Sequence, residues 1–324
     1  MVLLHSLTHE RSRTDEQSIG FGGASPAAAN SLQLSGIEVV HVRHGLRDDA
    51  ADVEPVADLT DRMGIPLHVE QLAWDESSES TAEQARRLRY EVLGRYAADR
   101  DAVVVTAHTR DDQVETILHR LLRGTGLAGL RGMASPSERR LADGRSFSLV
   151  RPLLSISRRE IDAYAAAVGL AFVDDPSNES PHYTRNRLRH EVLPLLATIN
   201  PEAGAAVLRL SEQASQAASV VAAAAAGLRA ECPPIGSSAN AWTVPATVLQ
   251  RWASSPLATE LVRAEVLRQL WKAAGWPEQR MTASHWQSLA TLTGTAARGG
   301  LDVPYATARR DRDGLHLVRR GTAG

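Results

Sequence analysis

The chain has 324 residues with 43% apolar content, which is more than one hydrophobic core requires, so two domains are predicted. It has no run of about 18 apolar residues and no secretory pattern at residues 1–7, so no membrane helix is predicted and a cytoplasmic location is expected. The single cysteine, Cys232, excludes an intramolecular disulfide, a CxxC metal site and an all-cysteine iron–sulfur cluster. The net charge of −2 neither supports nor excludes a nucleic-acid partner, although all 36 basic residues except Lys272 are arginines, which suit phosphate.

The first part of the chain alternates predicted strands and helices. Residues 1–35 are mostly polar and unpatterned, and they are predicted to be a degraded, disordered start. The alternation over residues 36–200 predicts an α/β fold with a doubly wound parallel sheet. The predicted strands are 37–42, 66–72, 102–107 and 146–153, and the predicted helices are 48–63, 80–97 and a helix ending near residue 123.

The remainder of the chain is predicted to be mainly helical. Helices are expected at 157–168, where Ser157 and Glu160 form a capping-box pattern, at 184–196, and over 201–231 as one long helix. The Pro- and Gly-containing segment 232–240 is the predicted linker. Residues 241–324 are then expected to form a smaller C-terminal α+β domain with three helices and short strands at 301–304 and 315–318.

Three carboxylates, Asp111, Asp112 and Glu115, follow His108 directly after the apolar strand 102–107. A hydrophobic strand, a short turn and an acidic helix start are the layout of a ligand site at the carboxyl end of a parallel sheet. A helix start normally needs one carboxylate, and Glu115 shares a face with Asp111 and nearly with Asp112. The cluster therefore suits Mg²⁺ held together with phosphate oxygens, or proton removal from an amine. A well-capped surface helix is the alternative.

Two further segments carry groups that suit phosphate. In Arg43-His44-Gly45-Leu46-Arg47, a histidine and arginines at the end of a strand can face a triphosphate; the alternative is an ordinary strand-to-helix turn. Arg86 and Arg89 lie three residues apart on a helix that also carries Tyr90. Arginines on a surface helix are usually solvated, and this alternative stays open.

A basic segment follows the loop around residues 172–181. Arg185, Asn186, Arg187 and Arg189 lie at the start of a predicted helix, next to Tyr183. Phosphate contacts plus one stacking ring make a nucleic-acid surface, and a basic surface helix is the equal alternative.

Taken together, these segments resemble the tRNA(Ile)-lysidine synthase family of PP-loop ATP pyrophosphatases. They occur in the family's order over roughly residues 37–200, and the run 174–194 is the most specific to it. The matching segments are His41 to Arg47, Ala85 to Tyr90, Thr106 to Thr116, Arg151 to Leu154 and Asp174 to Pro194.

The resemblance implies an ATP-dependent carbon–nitrogen ligase that modifies tRNA. ATP adenylates oxygen 2 of the wobble cytidine in the CAU anticodon of tRNA(Ile), and the amine of free L-lysine then attacks carbon 2 and releases AMP. ATP and Mg²⁺ are the implied cofactors, tRNA(Ile) and lysine the partners, and a homodimer is left open. No membrane partner is expected.

The resemblance also assigns roles to individual residues. Asp111, Asp112, Glu115 and His108 are the catalytic candidates, with Asp111 and Asp112 also the candidates for Mg²⁺. The ATP-binding candidates are Gly22, Gly23, His44, Arg47, Arg86 and Arg89. The tRNA-binding candidates are Arg185, Asn186, Arg187 and Arg189.

The chain departs from the family at its nucleotide signature, SGGxDS. The nearest stretch is Phe21-Gly22-Gly23-Ala24-Ser25-Pro26, which keeps the two glycines and loses the Asp and the flanking serines. Such a loop binds pyrophosphate with backbone N–H groups at a helix start, so ATP binding is expected to be weakened. The strand before this loop is expected to sit inside the sheet, and its loss would disturb the fold locally.

The sequence leaves two other functions open. A tRNA 2-thiolation enzyme of the same superfamily would usually need more cysteines than Cys232 alone. An ATP-incompetent tRNA-binding protein is favoured by the degenerate loop and opposed by the intact acidic cluster.

Overall fold

A computed structural model of the chain describes residues 2–4, 6–7, 36–43, 45, 52–73, 82–170, 184–236, 239–278, 280–294 and 297–320. The chain divides into two compact units, Met1–Thr116 with Met133–Gly204, and Ile117–Gly132 with Ala205–Gly324. Residues 2–4 and 6–7 are helical, and the other residues of the predicted start up to 35 lie outside the described part, so the predicted disorder of this segment stays a prediction. No helix in the described part is both long and apolar enough to cross a bilayer.

The strands of the first unit form two sheets. They are β1 (Val39–Arg43), β2 (Leu67–Gln71), β3 (Val103–Val105), β4 (Ser137–Arg140) and β5 (Ser146–Val150). Strands β1 and β2 pair in parallel, whereas the second sheet has the order β3-β5-β4, with β3 parallel and β4 antiparallel to β5. The α/β class with parallel strands is thus confirmed, but the described strands form two sheets where the sequence predicted one.

The helices of this region are α1 (Glu54–Arg62), α2 (Ala82–Asp99), α3 (Arg110–Leu122), the short α4 (Leu127–Leu130), α5 (Arg158–Val168), α6 (Thr184–Arg187) and α7 (Leu193–Ile199). Helices α2, α3 and α5 lie close to their predicted positions, whereas α1 begins six residues later than the predicted 48 and α4 was not predicted. A π-helical turn, Leu188–Val192, joins α6 to α7. Ser157 and Glu160 form the predicted capping box of α5, and Gly169 ends that helix with a φ of 69°.

Helix α2 packs against strands of both sheets, namely β1, β3 and β5. Its Tyr90 and Ala97 belong to a core with Phe147 and Leu149 of β5. Gly94 lies where the Phe147 ring meets the helix, and a Cβ at this position would overlap the ring. One helix therefore covers both β1 and β3.

The hairpin β4–β5 was only half predicted from the sequence. Strand β4 is polar, but the Asp143-Gly144 turn is a hairpin signal, and Gly144 has a φ of 90°. The predicted strand 146–153 is too long, because β5 ends at Val150 and a 3₁₀ turn begins at Pro152, which has no N–H to donate.

The second unit contains a four-stranded antiparallel sheet. Its elements are α8 (Ala203–Arg229), β6 (Ala241–Pro245), α9 (Ala246–Ser254), α10 (Glu260–Ala273), α11 (Ala283–Thr291), β7 (Gly299–Val303), β8 (Ala306–Arg310) and β9 (Gly314–Arg319), and the strand order is β6-β9-β8-β7. All four helices were predicted, but of the four strands only β7 and β9 were. Trp252 and Trp271 are fully buried in its core, and Cys232 and Ile235 of the predicted linker pack against that core.

Candidate active site

The acidic helix α3 starts with a reciprocal cap between Thr109 and Asp112. The Asp112 Oδ2 accepts hydrogen bonds from the Thr109 backbone N–H (2.7 Å) and hydroxyl (2.9 Å), and the Thr109 hydroxyl accepts from the Asp112 N–H (3.2 Å). One of the three carboxylates is therefore the ordinary cap. The second carboxylate oxygen of Asp112, Oδ1, takes no part in this cap and contacts a different segment of the chain.

The segment 184–192 brings two arginines onto Asp112 and Glu115. Arg185 donates from Nε to Glu115 Oε2 (2.6 Å) and from Nη2 to Asp112 Oδ1 (2.8 Å). Arg189 donates from Nε to Glu115 Oε1 (2.6 Å) and from Nη2 to Asp112 Oδ1 (3.5 Å). The two carboxylates and two guanidiniums form one network with balanced charge, in which each arginine bridges both acids.

Burial makes the balance of this network important. The Glu115 side chain is 1% exposed, whereas those of Arg185 and Arg189 are 39% and 38% exposed. Burial alone would raise the pKa of Asp112, but the Thr109 hydrogen bonds and the Arg185 charge outweigh it and lower that pKa. Burial acts to lower the pKa of Arg189, and its bond to Glu115 reverses this into a raised pKa. Asp112 and Arg189 are thus held in their charged forms.

Asp111 is hydrogen-bonded outside this network, although its charge acts on Arg189. It is exposed, and its Oδ2 accepts a hydrogen bond from the backbone N–H of Arg158 (2.7 Å). Because Asp112 is committed to Thr109 and Arg185, the two aspartates do not offer a pair of free carboxylates to one Mg²⁺. Within the described ranges, no group of three or more His, Cys, Asp or Glu side chains could hold a metal ion. The predicted Mg²⁺ pair does not fit this arrangement.

His108 lies at the end of β3, where its Nδ1 is 2.9 Å from the Thr106 hydroxyl. Burial, and after it the charge of Arg86, lower the pKa of His108 to about 4. The imidazole is therefore neutral at pH 7. It can accept or donate a hydrogen bond near the network without adding to the positive charge.

The His108→Gln variant is expected to lose less stability than the wild type between pH 7 and pH 5. The unfolded chain takes up this proton below about pH 6.5, while the folded chain does so only near pH 4, so stability falls as pH falls through this window. For the wild type this group costs about 2 kcal/mol at pH 5 relative to pH 7. Urea unfolding at both pH values measures the difference, and an equal loss in both proteins would contradict the shifted pKa.

A second cluster surrounds the buried ring of Tyr90. Arg139, Arg86 and Arg89 lie 4.3, 5.2 and 6.0 Å from the ring centroid. Burial and the charge of Arg86 lower the pKa of Arg89. The predicted nucleotide arginines therefore lie among other cations, which suits an anionic ligand.

Arg151 is 3% exposed and follows β5 directly. Its Nη1 donates to Ala134 O (2.5 Å) and the Ser137 hydroxyl (3.1 Å), and burial lowers its pKa. Its buried Nε has no acceptor among the described residues. Its charge also acts on His108, so it contributes to the positive field of this region.

The structure brings together only some of the predicted site residues. His108, Asp112, Glu115, Arg185 and Arg189 form one cluster, on which the charge of Arg86 also acts. Arg187 instead points outward, is 61% exposed and pairs with Glu191 at 3.1 Å. Asn186 lies on α6 and is half-buried. The remaining predicted residues, Gly22, Gly23, His44 and Arg47, lie outside the described part of the chain.

Sequence reasoning missed Thr109, Arg139 and Arg151 as members of the site. Thr109 followed by Asp112 at the third position is a capping-box signal that was present in the sequence. Arg139 could have been found through the Asp143-Gly144 turn, which requires a strand on each side. No local signal in the sequence indicates that Arg151 is buried.

The fold combines parallel α/β strands with an acidic helix that follows β3. The family model described as the PP-loop domain matches residues 18–196, more than half of the chain.

Comparison with curated proteins narrows this match to a more specific family. A tRNA(Ile)-lysidine synthase of Pseudomonas syringae pv. tomato is 31% identical over 348 aligned positions, covering 90% of this chain and 76% of that protein. The P. aeruginosa and P. fluorescens tRNA(Ile)-lysidine synthases are 42% and 39% identical over 61% and 56% of this chain. The chain matches only 43% and 40% of the length of these two relatives. The chain belongs to the tRNA(Ile)-lysidine synthase family.

Proposed function

We propose that this chain is an ATP-dependent ligase that converts the wobble cytidine of CAU-anticodon tRNA(Ile) to lysidine with free L-lysine. The observation that carries the proposal is the buried Glu115, held with Asp112 by Arg185 and Arg189 at the carboxyl end of β3. This cluster lies where ligands bind in open α/β sheets. Its groups are those that a reaction with an anionic and an ammonium substrate requires.

The first step joins cytidine oxygen 2 to the α-phosphorus of ATP and releases pyrophosphate. Negative charge builds on the departing pyrophosphate, and fixed cations stabilise that charge most effectively where water is excluded. Arg86 and Arg89 are the candidate groups on the protein side, and the neutral His108 beside them can hydrogen-bond without repelling either substrate. Mg²⁺ would accompany the ATP phosphates, since the Asp111–Asp112 pair is not arranged to hold it alone.

In the second step the lysine amine attacks cytidine carbon 2, the carbon–oxygen bond breaks, and AMP leaves. At pH 7 this amine is almost entirely protonated, because its pKa is about 10.4, so it needs both an anionic binding site and a base. Asp112 and Glu115 already bind two guanidiniums, which is the chemistry that an ammonium group would use. Asp111 is the exposed carboxylate left to accept the proton.

The test is to incubate the purified chain with ATP, Mg²⁺, lysine and unmodified CAU-anticodon tRNA(Ile), and to look for lysidine by nucleoside mass spectrometry. Lysidine that depends on both ATP and lysine would support the proposal. A tRNA(Ile) whose wobble base is not cytidine is the matched control. Tight tRNA binding without lysidine would instead support the binding-only alternative.

The thiolation alternative loses support from the position of Cys232. Burial raises the pKa of this thiol to about 11, and the residue packs against the core of the second unit. A thiol that is protonated at neutral pH is a poor carrier of sulfur.

A further inference from the structure

An open pocket of about 760 Å³ lies between α2 and the β4–β5 hairpin of the first unit. Arg86 and Arg87 line it from the helix, and Arg139 and Arg140 line it from the edge strand β4. The buried network of Asp112 and Glu115 does not contribute to its lining. The pocket therefore shares Arg86, Arg139 and Tyr90 with the second cluster of the candidate active site but contains no residue of the carboxylate network.

The cations of this pocket lie close to one another and are weakly compensated. Arg139 and Arg86 both contact the Tyr90 ring, burial lowers the pKa of Arg139, and the charge of Arg86 lowers it further. Of the two lining carboxylates, Glu83 and Glu91, the second already accepts a hydrogen bond from the Ala142 N–H (3.2 Å) and lies 3.8 Å from Arg95. The pocket is thus positively charged.

The shape and chemistry of the pocket favour phosphate groups over a nucleoside. A guanidinium group can bind two oxygens of one phosphate at once. In this pocket such groups lie on both walls, which suits a polyanion with successive phosphates. The two aromatic rings of the described lining, Tyr90 and Phe147, are 6% and 5% exposed, so neither offers a face on which a base could stack.

We propose that this pocket binds backbone phosphates of the substrate RNA and anchors it outside the reaction centre. The identity of that RNA as tRNA(Ile) rests on the proposed function, whereas the phosphate contacts require only an RNA chain. ATP also carries phosphate groups, so the test must distinguish binding of RNA from binding of ATP.

The test uses the full chain with Arg140→Gln alone and with Arg139→Gln and Arg140→Gln together. Binding of unmodified tRNA(Ile), measured at several salt concentrations, is expected to weaken by about tenfold in the double variant near 0.1 M salt. The slope of log K against log salt should fall by about one for each arginine removed. Arg145→Gln is the matched control, because Arg145 lies on the same hairpin but is already paired with Asp99 and Asp143.

Unchanged tRNA affinity and salt slope in both variants would overturn the proposal. Weaker binding of ATP alone, with tRNA binding intact, would also overturn it and assign the pocket to the nucleotide. If the arginine variants have a reduced salt slope but the unsubstituted chain makes no lysidine, the result would support RNA binding by the pocket and refute the proposed function. Arg140 is exposed, so its single variant keeps the test valid if the double variant does not fold.

Discussion

Replacing Glu115 with glutamine is expected to lower kcat/KM for lysidine formation by at least about a thousandfold, or roughly 4 kcal/mol of transition-state stabilisation. Glutamine keeps the size of the side chain but leaves Arg185 and Arg189 with only the charge of Asp112 between them. Removing one charge from a buried ion network is costly, because the remaining charges are no longer compensated. A loss of about 1–3 kcal/mol in the free energy of unfolding is expected, reduced by the partial exposure of both arginines.

Single-turnover lysidine formation and urea unfolding measure the two effects of Glu115→Gln separately. Asp162→Asn is the matched control, since Asp162 pairs with Arg158 at 2.8 Å on an exposed helix face. That surface pair should change stability by less than about 1 kcal/mol and leave activity within about twofold. Equal behaviour of the two variants would show that the buried network contributes nothing beyond an ordinary surface ion pair.

The elements with strong local signals could be predicted from the sequence. The Ser157–Glu160 capping box and the acidic helix after an apolar strand both lie where they were expected. The strand β8 was missed because its buried positions are two alanines and an arginine, which give a weak apolar alternation. Pairing with Leu315 and Leu317 of β9 defines that strand, and such pairing is a tertiary property.

The contacts within the candidate active site could not be predicted from the sequence for the same reason, because they are tertiary contacts. The four-residue spacing of Arg185 and Arg189 and the three-residue spacing of Asp112 and Glu115 are visible in the sequence. Their contact joins positions about 70 residues apart, and no local pattern predicts which face meets which. The arginines were therefore assigned to tRNA from the basic character of their segment, whereas the structure gives them carboxylate partners. Their predicted role toward tRNA remains a prediction.

The arrangement of the parallel strands bears on how ATP would be bound. From β1 the chain runs through α1 to the parallel strand β2, and β3 pairs in parallel with β5. Ligands of open α/β sheets bind outside the carboxyl ends of such strands. Helix α2 packs against both β1 and β3. A glycine loop at a helix start supplies backbone N–H groups that bind pyrophosphate, and the chain departs from the family at that loop.

Replacing residues 1–30 with an intact strand, SGGxDS loop and helix is therefore expected to raise lysidine formation by at least about a hundredfold and to tighten ATP binding. The backbone N–H groups of the loop and the helix start would stabilise the pyrophosphate as it leaves, and one lost oxyanion donor typically costs about a hundredfold or more. ATP affinity by calorimetry and lysidine yield by mass spectrometry give two independent readings.

The matched control is the same graft with the Asp and both Ser residues of the loop changed to Ala, which restores the strand without the side chains of the signature. If the control graft restores activity, the site requires the strand and its backbone donors and not the signature side chains. Equal activity of the original chain and the intact graft would contradict the prediction, because it would show that residues 1–30 already support binding of the pyrophosphate group.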